Sequence, residues 1–248
     1  PAGDPPDLTE ADLPPVDGVI LAMAHPGRAL VYTEWLDPAI RHEHQPFDRD
    51  PELDLFDRRN GPPYSDDFLA RYRAAQVERN RRITRWVRAE LASLGERAAT
   101  GPADQPALED LPFLVHGTAA DPRFLDLAVD PSDRATGTLW GPAWTANFGP
   151  ATLGHYTSLR SWLSQWSYDD SQSNAPRHLP RVSVPVQVIY GTADAAAFPS
   201  HAVSMYEAVG HAKKELIALE GAHHYFLDQP DLVATMCRHM LRWCESVL

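Results

Sequence analysis

Lysine is almost absent from this chain, cysteine is scarce, and no apolar run is long. Lys213 and Lys214 stand against twenty arginines. Beside abundant Ala, Pro and Asp, that imbalance reads as a coding bias rather than a function. Cys237 and Cys244 lie seven residues apart in an expected helix, about 10 Å by helical rise, which is too far for a mutual disulfide. They are expected to be small buried hydrophobes of a reducing compartment, and the cytoplasm is the favoured location. With no second Cys/His cluster, no structural zinc is expected. No stretch approaches eighteen apolar residues, so a transmembrane helix is excluded. The first residues carry neither the basic nor the apolar stretch of a signal peptide. Positive charge is also short. Lys and Arg total 22 against 34 Asp and Glu, a formal net charge of -12, which weighs against nucleic acid or an anionic membrane as partner.

What is present suits a folded protein. The 248 residues are 44% hydrophobic and include 7 Trp, 8 Tyr and 8 Phe. That is enough for one globular domain with an elaborate insertion, and disorder is not expected.

Residues 1–18 are Pro-rich and acidic and read as a linker. Val19 to Ala24 is an unbroken apolar run bounded by Gly18 and Pro26, the pattern of a buried parallel strand. Between 28 and 64, five prolines leave room for short turns only. Ser65, followed by Asp66 and Asp67, opens a long helical pattern that runs to about Gly95. Its apolar stripe of Phe68, Tyr72, Ala75, Ile83, Trp86, Leu91 and Leu94 is imperfect. Its many arginines have Asp66, Asp67, Glu78 and Glu90 available to pair, so a solvated face is expected rather than a nucleic-acid stripe. Phe113-Leu114-Val115 is an apolar island, and Ser158 to Trp166 can be helical.

The last third changes character. Apolar runs at 184–190 and 215–219 read as strands, each followed by a helix, at 199–209 and 230–247. Alternation of buried strands and helices is a crossover α/β signature. Val233, Cys237, Met240 or Leu241, and Cys244 form the expected apolar face of the last helix.

In open parallel sheets, ligands gather beyond the carboxyl ends of the strands. Three positions qualify: His25, Asp194, and the pair His223-His224. An acid and a histidine on neighbouring strand ends are the base-orienting half of a nucleophilic apparatus. The same residues also allow Asp194 to cap the helix near Pro199, with the histidines as packing or surface groups. Composition and position leave both readings open.

Val186-Gln187-Val188-Ile189-Tyr190-Gly191-Thr192-Ala193-Asp194, with Glu215-Leu216-Ile217-Ala218-Leu219-Glu220-Gly221-Ala222-His223-His224, resembles the C-terminal part of α/β-hydrolase-fold enzymes. Asp17 to Leu21 resembles the strand just after the nucleophile-bearing unit of that family. The resemblance implies an α/β fold with about three parallel strands and a large, mostly helical cap. Residues 1–27 would be linker and first core strand, 28–181 the cap, and 182–248 the remaining core. It places the triad acid on Asp194 and the triad histidine on His224, with His223 as spacer.

The departure from the family is equally informative. The family's nucleophile sits in G-x-S-x-G, and no serine here has glycine at both flanking positions two away. Family order puts the nucleophile before the first strand, so the resemblance implies an N-terminal fragment or separate chain as partner, through processing or because this is one piece of a longer protein. A chain that has lost catalysis is the third explanation.

The resemblance further implies a serine acyl-enzyme mechanism on an ester, or a related acyl compound, with a hydrophobic part. No metal or organic cofactor enters. An aspartate nucleophile would turn the same pair to epoxide or haloalkane hydrolysis, and a non-catalytic binding subunit is the alternative of another class. Trp140, Trp144, Trp162 and Trp166 cluster in the cap, where such rings form pocket walls or simply pack together. His25, Trp144, His155, Tyr156 and Trp162 are the candidate substrate contacts. A homo-oligomer is compatible with all of this.

Overall fold

The computed structural model describes residues 10–102, 107–150 and 152–247. Half of the expected linker, residues 1–9, lies outside the described residues. In chain order the elements are β1 (Val19–Ala22), α1 (Arg28–Trp35), β2 (Ile40–His42), β3 (Gln45–Arg49), α2 (Asp66–Thr100), β4 (Pro112–Leu114), α3 (Ala143–Phe148) and β5 (Tyr156–Ser158). Then come α4 (Leu159–Ser161), running into a π turn at Trp162–Trp166, α5 (Ala175–His178), β6 (Val186–Gly191), α6 (Pro199–Ala208), β7 (Lys214–Leu219) and α7 (Pro230–Val247). Among the described residues, two compact units result. A helical unit comprises 28–126 and 140–173, and a sheet unit comprises 10–27, 127–139 and 174–247. Segments 127–139 and 174–181, inside the sequence boundaries of the cap, thus group with the sheet.

The sheet unit is built on three parallel strands in the order β1-β6-β7. Leu21 stands opposite Val188, and Val188 opposite Leu216. In the central strand, Val186, Val188 and Ile189 are fully buried, as a strand covered on both faces requires. Val186 and Val188 pack with Ala202 and Met205 of α6. Ile189, with Ile217 and Leu219, packs against Leu232, Met236 and Met240 of α7. This is an α/β architecture: a small parallel sheet flanked by helices.

The face of α7 corrects the sequence reading by one residue. Leu232, Met236, Met240 and Trp243 point inward, while Val233 and Leu241 are exposed. Cys237 is exposed and Cys244 half-buried, both as free thiols, so neither is a core residue. The stripe is ambiguous in sequence because apolar residues occur on both sides of it. Trp243 fixes the register, since its ring closes on Gly18, where a side chain would leave it no room.

The helical unit is organised by α2, a 35-residue helix capped by Ser65. It does not end at Gly95. A glycine in a helix interior costs only about 1 kcal/mol, and 34 other residues outweigh that. Its stripe is imperfect for a physical reason: Gln76, Arg79, Asn80 and Thr84 lie on the buried face. Gln76 donates to the carbonyls of Leu36 (2.9 Å) and Ala120 (3.3 Å). Asn80 donates to Trp166 O (2.8 Å) and accepts from Tyr168 N–H (2.8 Å). Thr84 accepts from the Trp162 indole at 2.9 Å. These side chains satisfy the backbone of loops that form no ladder of their own. Trp86, placed in the stripe by sequence, is instead half-exposed.

The arginines of α2 do pair, though mainly with acids from elsewhere. Arg71 meets Asp67 and Arg85 meets Glu78 within the helix. Arg73 reaches Asp121, Arg79 and Arg82 reach Glu43, Arg81 reaches Asp169, and Arg88 reaches Asp170. Two short antiparallel pairs, β2-β3 and β4-β5, complete a unit that sequence reading made mostly helical. No helix among the described residues is long and apolar enough to cross a membrane.

Candidate active site

Parallel strands end on one side of a sheet, so β6 and β7 deliver their following turns to one place. After Gly191, residues 192–197 form a tight turn whose centre is Asp194. Its carboxylate is fully buried. Oδ1 accepts from the N–H groups of Ala196 (2.7 Å) and Ala197 (2.9 Å). Oδ2 lies 2.9 Å from Nδ1 of His224. With Asp194 as a carboxylate, which only accepts, Nδ1 is the donor of this contact and Nε2 is the ring nitrogen it leaves over. His224 has 18% of its side chain exposed, whereas Asp194 has none.

The two turns are sewn together. Thr192 N–H donates to Leu219 O (3.1 Å), and Ala193 N–H to Ala222 O (3.2 Å). Gly221 N–H donates to the Thr192 hydroxyl at 2.8 Å, and that hydroxyl donates to Asp133. Gly191 must be glycine, because a Cβ there would overlap the Ala222 carbonyl. Gly221 adopts a φ of 68°, which bends the chain toward the histidines. Gln229 pins the far side, donating to Gly221 O (2.7 Å) and accepting from His223 N–H (2.9 Å). The Tyr225 ring stands edge-on to His224 at 4.7 Å.

The structure thus brings Asp194 and His224 together, and leaves the His223 side chain exposed. His25 follows β1 and is half-buried, its Nδ1 accepting from Gly27 N–H at 3.2 Å. The other four candidate contacts belong to the helical unit. Trp144 is half-exposed and packs on Phe56 and Phe148. His155 lies edge-on to His116, with its Nδ1 buried and lacking a partner among the described residues. Tyr156 is exposed, whereas Trp162 is fully buried against Tyr32, so packing is its role. Sequence reading missed Thr192, Asp133 and Gln229. Thr192 adjoins the acid motif and was within reach, but Asp133 lies 59 residues away in a segment with no periodic signal.

Among the described residues, no cluster of three or more His, Cys, Asp or Glu could hold a metal ion. Comparison of the chain with protein-family models, with curated proteins and with solved structures returns no match in any of the three.

Proposed function

We propose that this chain supplies the acid–base half of an α/β-hydrolase-type serine hydrolase acting on a carboxylic ester, or a related acyl compound, with a hydrophobic part. One observation carries the reading: a fully buried carboxylate, held by two backbone N–H groups, lies 2.9 Å from a histidine on the adjacent parallel strand end. His224 Nε2 takes a proton from the attacking hydroxyl and returns it to the leaving group. Asp194 fixes the tautomer and stabilises the imidazolium. The same nitrogen then activates water to release the acyl group. The serine comes from a segment or chain outside these 248 residues, since none of the serines here stands in the elbow motif.

The test is to purify the protein from its source and sequence any companion or upstream segment. A G-x-S-x-G serine that reacts with a fluorophosphonate, and whose reaction is lost in His224→Ala, supports the proposal. Ester turnover in that variant should fall more than about 10³-fold, with the circular dichroism spectrum unchanged. Turnover surviving in His224→Ala overturns it, and an aspartate at the elbow redirects the chemistry to epoxides or haloalkanes.

A further inference from the structure

The helical unit contains a cavity of about 580 Å³, within the range of small-molecule sites. Neither Asp194 nor His224 lines it, so a ligand site here is independent of the hydrolase reading. Three elements build it. Ile83 and Trp86 of α2 join Phe113, Leu114 and Val115 in its apolar lining, with the Trp86 ring packed edge-on against Phe113 at 5.0 Å, and the β2-β3 hairpin adds Arg41, His42 and His44. The interior is apolar, and two large side chains are left open to it. Trp86 is 45% and Leu114 50% exposed, surface that the fold does not bury on its own.

These elements are fixed relative to one another. Arg79 is buried and donates to Asp37 O (2.9 Å), Gly117 O (3.2 Å) and His116 O (2.7 Å), and it pairs with Glu43 at 2.6 Å. Arg82 ties α2 to Ile40 O at 2.9 Å. The cavity is therefore formed before anything enters it, and a ligand loses little affinity to ordering.

The charges of the lining select the ligand. Glu43 is the acid of the lining, and its charge is already met by Arg79 and Arg82. Burial opposes its ionisation, yet those two guanidiniums hold its carboxyl below the ordinary range. Burial, then His155 and Arg79, lowers the His116 pKa and favours its neutral form. Arg41 is different. It meets Asp48 at 3.5 Å and Asp50 at 4.0 Å, with all three side chains well exposed, and loose exposed pairs of this kind contribute about 0–1 kcal/mol. A bound anion competes with Asp48 and Asp50 for that guanidinium, whereas Arg82 is held by Glu43 at 2.9 Å.

We propose that this cavity is a binding site for an aromatic or medium-chain carboxylate, its apolar body against the exposed surface of Trp86 and Leu114 and its carboxylate on Arg41. Isothermal titration of the 248-residue chain with 1-naphthoate and with neutral 1-naphthamide tests it. Naphthoate should bind one per chain and about tenfold tighter than the amide, as a charge-assisted bond exceeds a neutral one. Arg41→Gln should erase that difference, and Leu114→Asp should abolish binding of both. Trp86→Gln serves as the second wall variant if Leu114→Asp does not fold. Absence of saturable naphthoate binding, equal affinity for the amide, or binding that survives a folded wall variant overturns the proposal.

Discussion

In the helical unit the buried side of α2 carries Gln76, Arg79, Asn80 and Thr84, and Asp37, Asp121 and Arg123 are buried elsewhere in the same unit. In the sheet unit the central strand buries Val186, Val188 and Ile189 against aliphatic faces of two helices. The sheet makes its own backbone hydrogen bonds, and most of its buried side chains fill space, with Gln187, which donates to Glu215 at 2.9 Å, as the polar exception on the central strand. The helical unit has few ladders, so its loops borrow donors and acceptors from side chains. A core of the second kind is more demanding: satisfied, it specifies one arrangement, but each lost partner leaves a buried polar group behind. An apolar core loses contacts more gradually and recovers part of the loss by collapse.

The sharpest way to break this contrast is Asp121→Ala. Asp121 is fully buried and receives Arg73 at 2.9 Å, Arg123 at 2.7 Å and the Arg123 N–H at 2.9 Å. Removing it takes one carboxylate from the buried Arg123, which also pairs with Glu34. A loss of about 3–5 kcal/mol is expected in urea unfolding. Six of the seven tryptophans lie in the helical unit, so indole fluorescence reports on it. A loss below about 1 kcal/mol would mean that the polar network decorates this core rather than organising it.

Acid sharpens the comparison next. Burial opposes ionisation of Asp121, but Arg123 and Arg73 override it and hold its carboxyl well below the ordinary range. Asp169 is lowered by its hydrogen bond from Arg81. Such carboxylates give stability that is fully present above the unfolded value of about 4 and lost as pH falls toward the folded one. His116, lowered by burial, acts in the same sense, because the unfolded chain takes up its proton first as pH falls through about 6.5. The urea midpoint read by tryptophan should therefore decline below about pH 6.5 and more steeply below about pH 4. A midpoint flat from about pH 7 to 4 would remove His116 from this account.

The two units also differ in how far the sequence reveals them. The sheet unit announces itself because short apolar runs bounded by Gly191 or Gly221 have few other uses, and Asp194 and His224 stand where parallel strands must end. Only the register of α7 misleads, since Val233 and Leu241 imitate a face that Leu232, Met236 and Trp243 form. The helical unit hides its logic. Arg73, Arg79 and Asn80 look like solvated residues of a charged helix, and their partners Asp121, Glu43 and Trp166 lie 48, 36 and 86 residues away. Periodicity records which positions face inward only when those positions are apolar. A buried arginine obeys the same geometry and leaves no mark in the pattern.

One signal in the helical unit was local and therefore readable: the start of α2. Ser65 is extended, with φ -73° and ψ 154°, and its hydroxyl accepts from Phe68 N–H at 3.2 Å. Asp66 and Asp67 follow at the positive end of the helix dipole. Beside the cap, Tyr64 stacks on Phe68 and Phe68 packs on Tyr72, at 5.3 and 5.4 Å between rings. Cap and stack both favour beginning the helix here, and Ser65→Ala separates them. If the cap sets the start, the variant loses about 1 kcal/mol and Ser65→Asp loses almost nothing. If Ser65→Ala unfolds at the wild-type urea midpoint, the aromatic stack sets the start. Even the readable end of this helix would then depend on the buried contacts of its unit rather than on its own sequence.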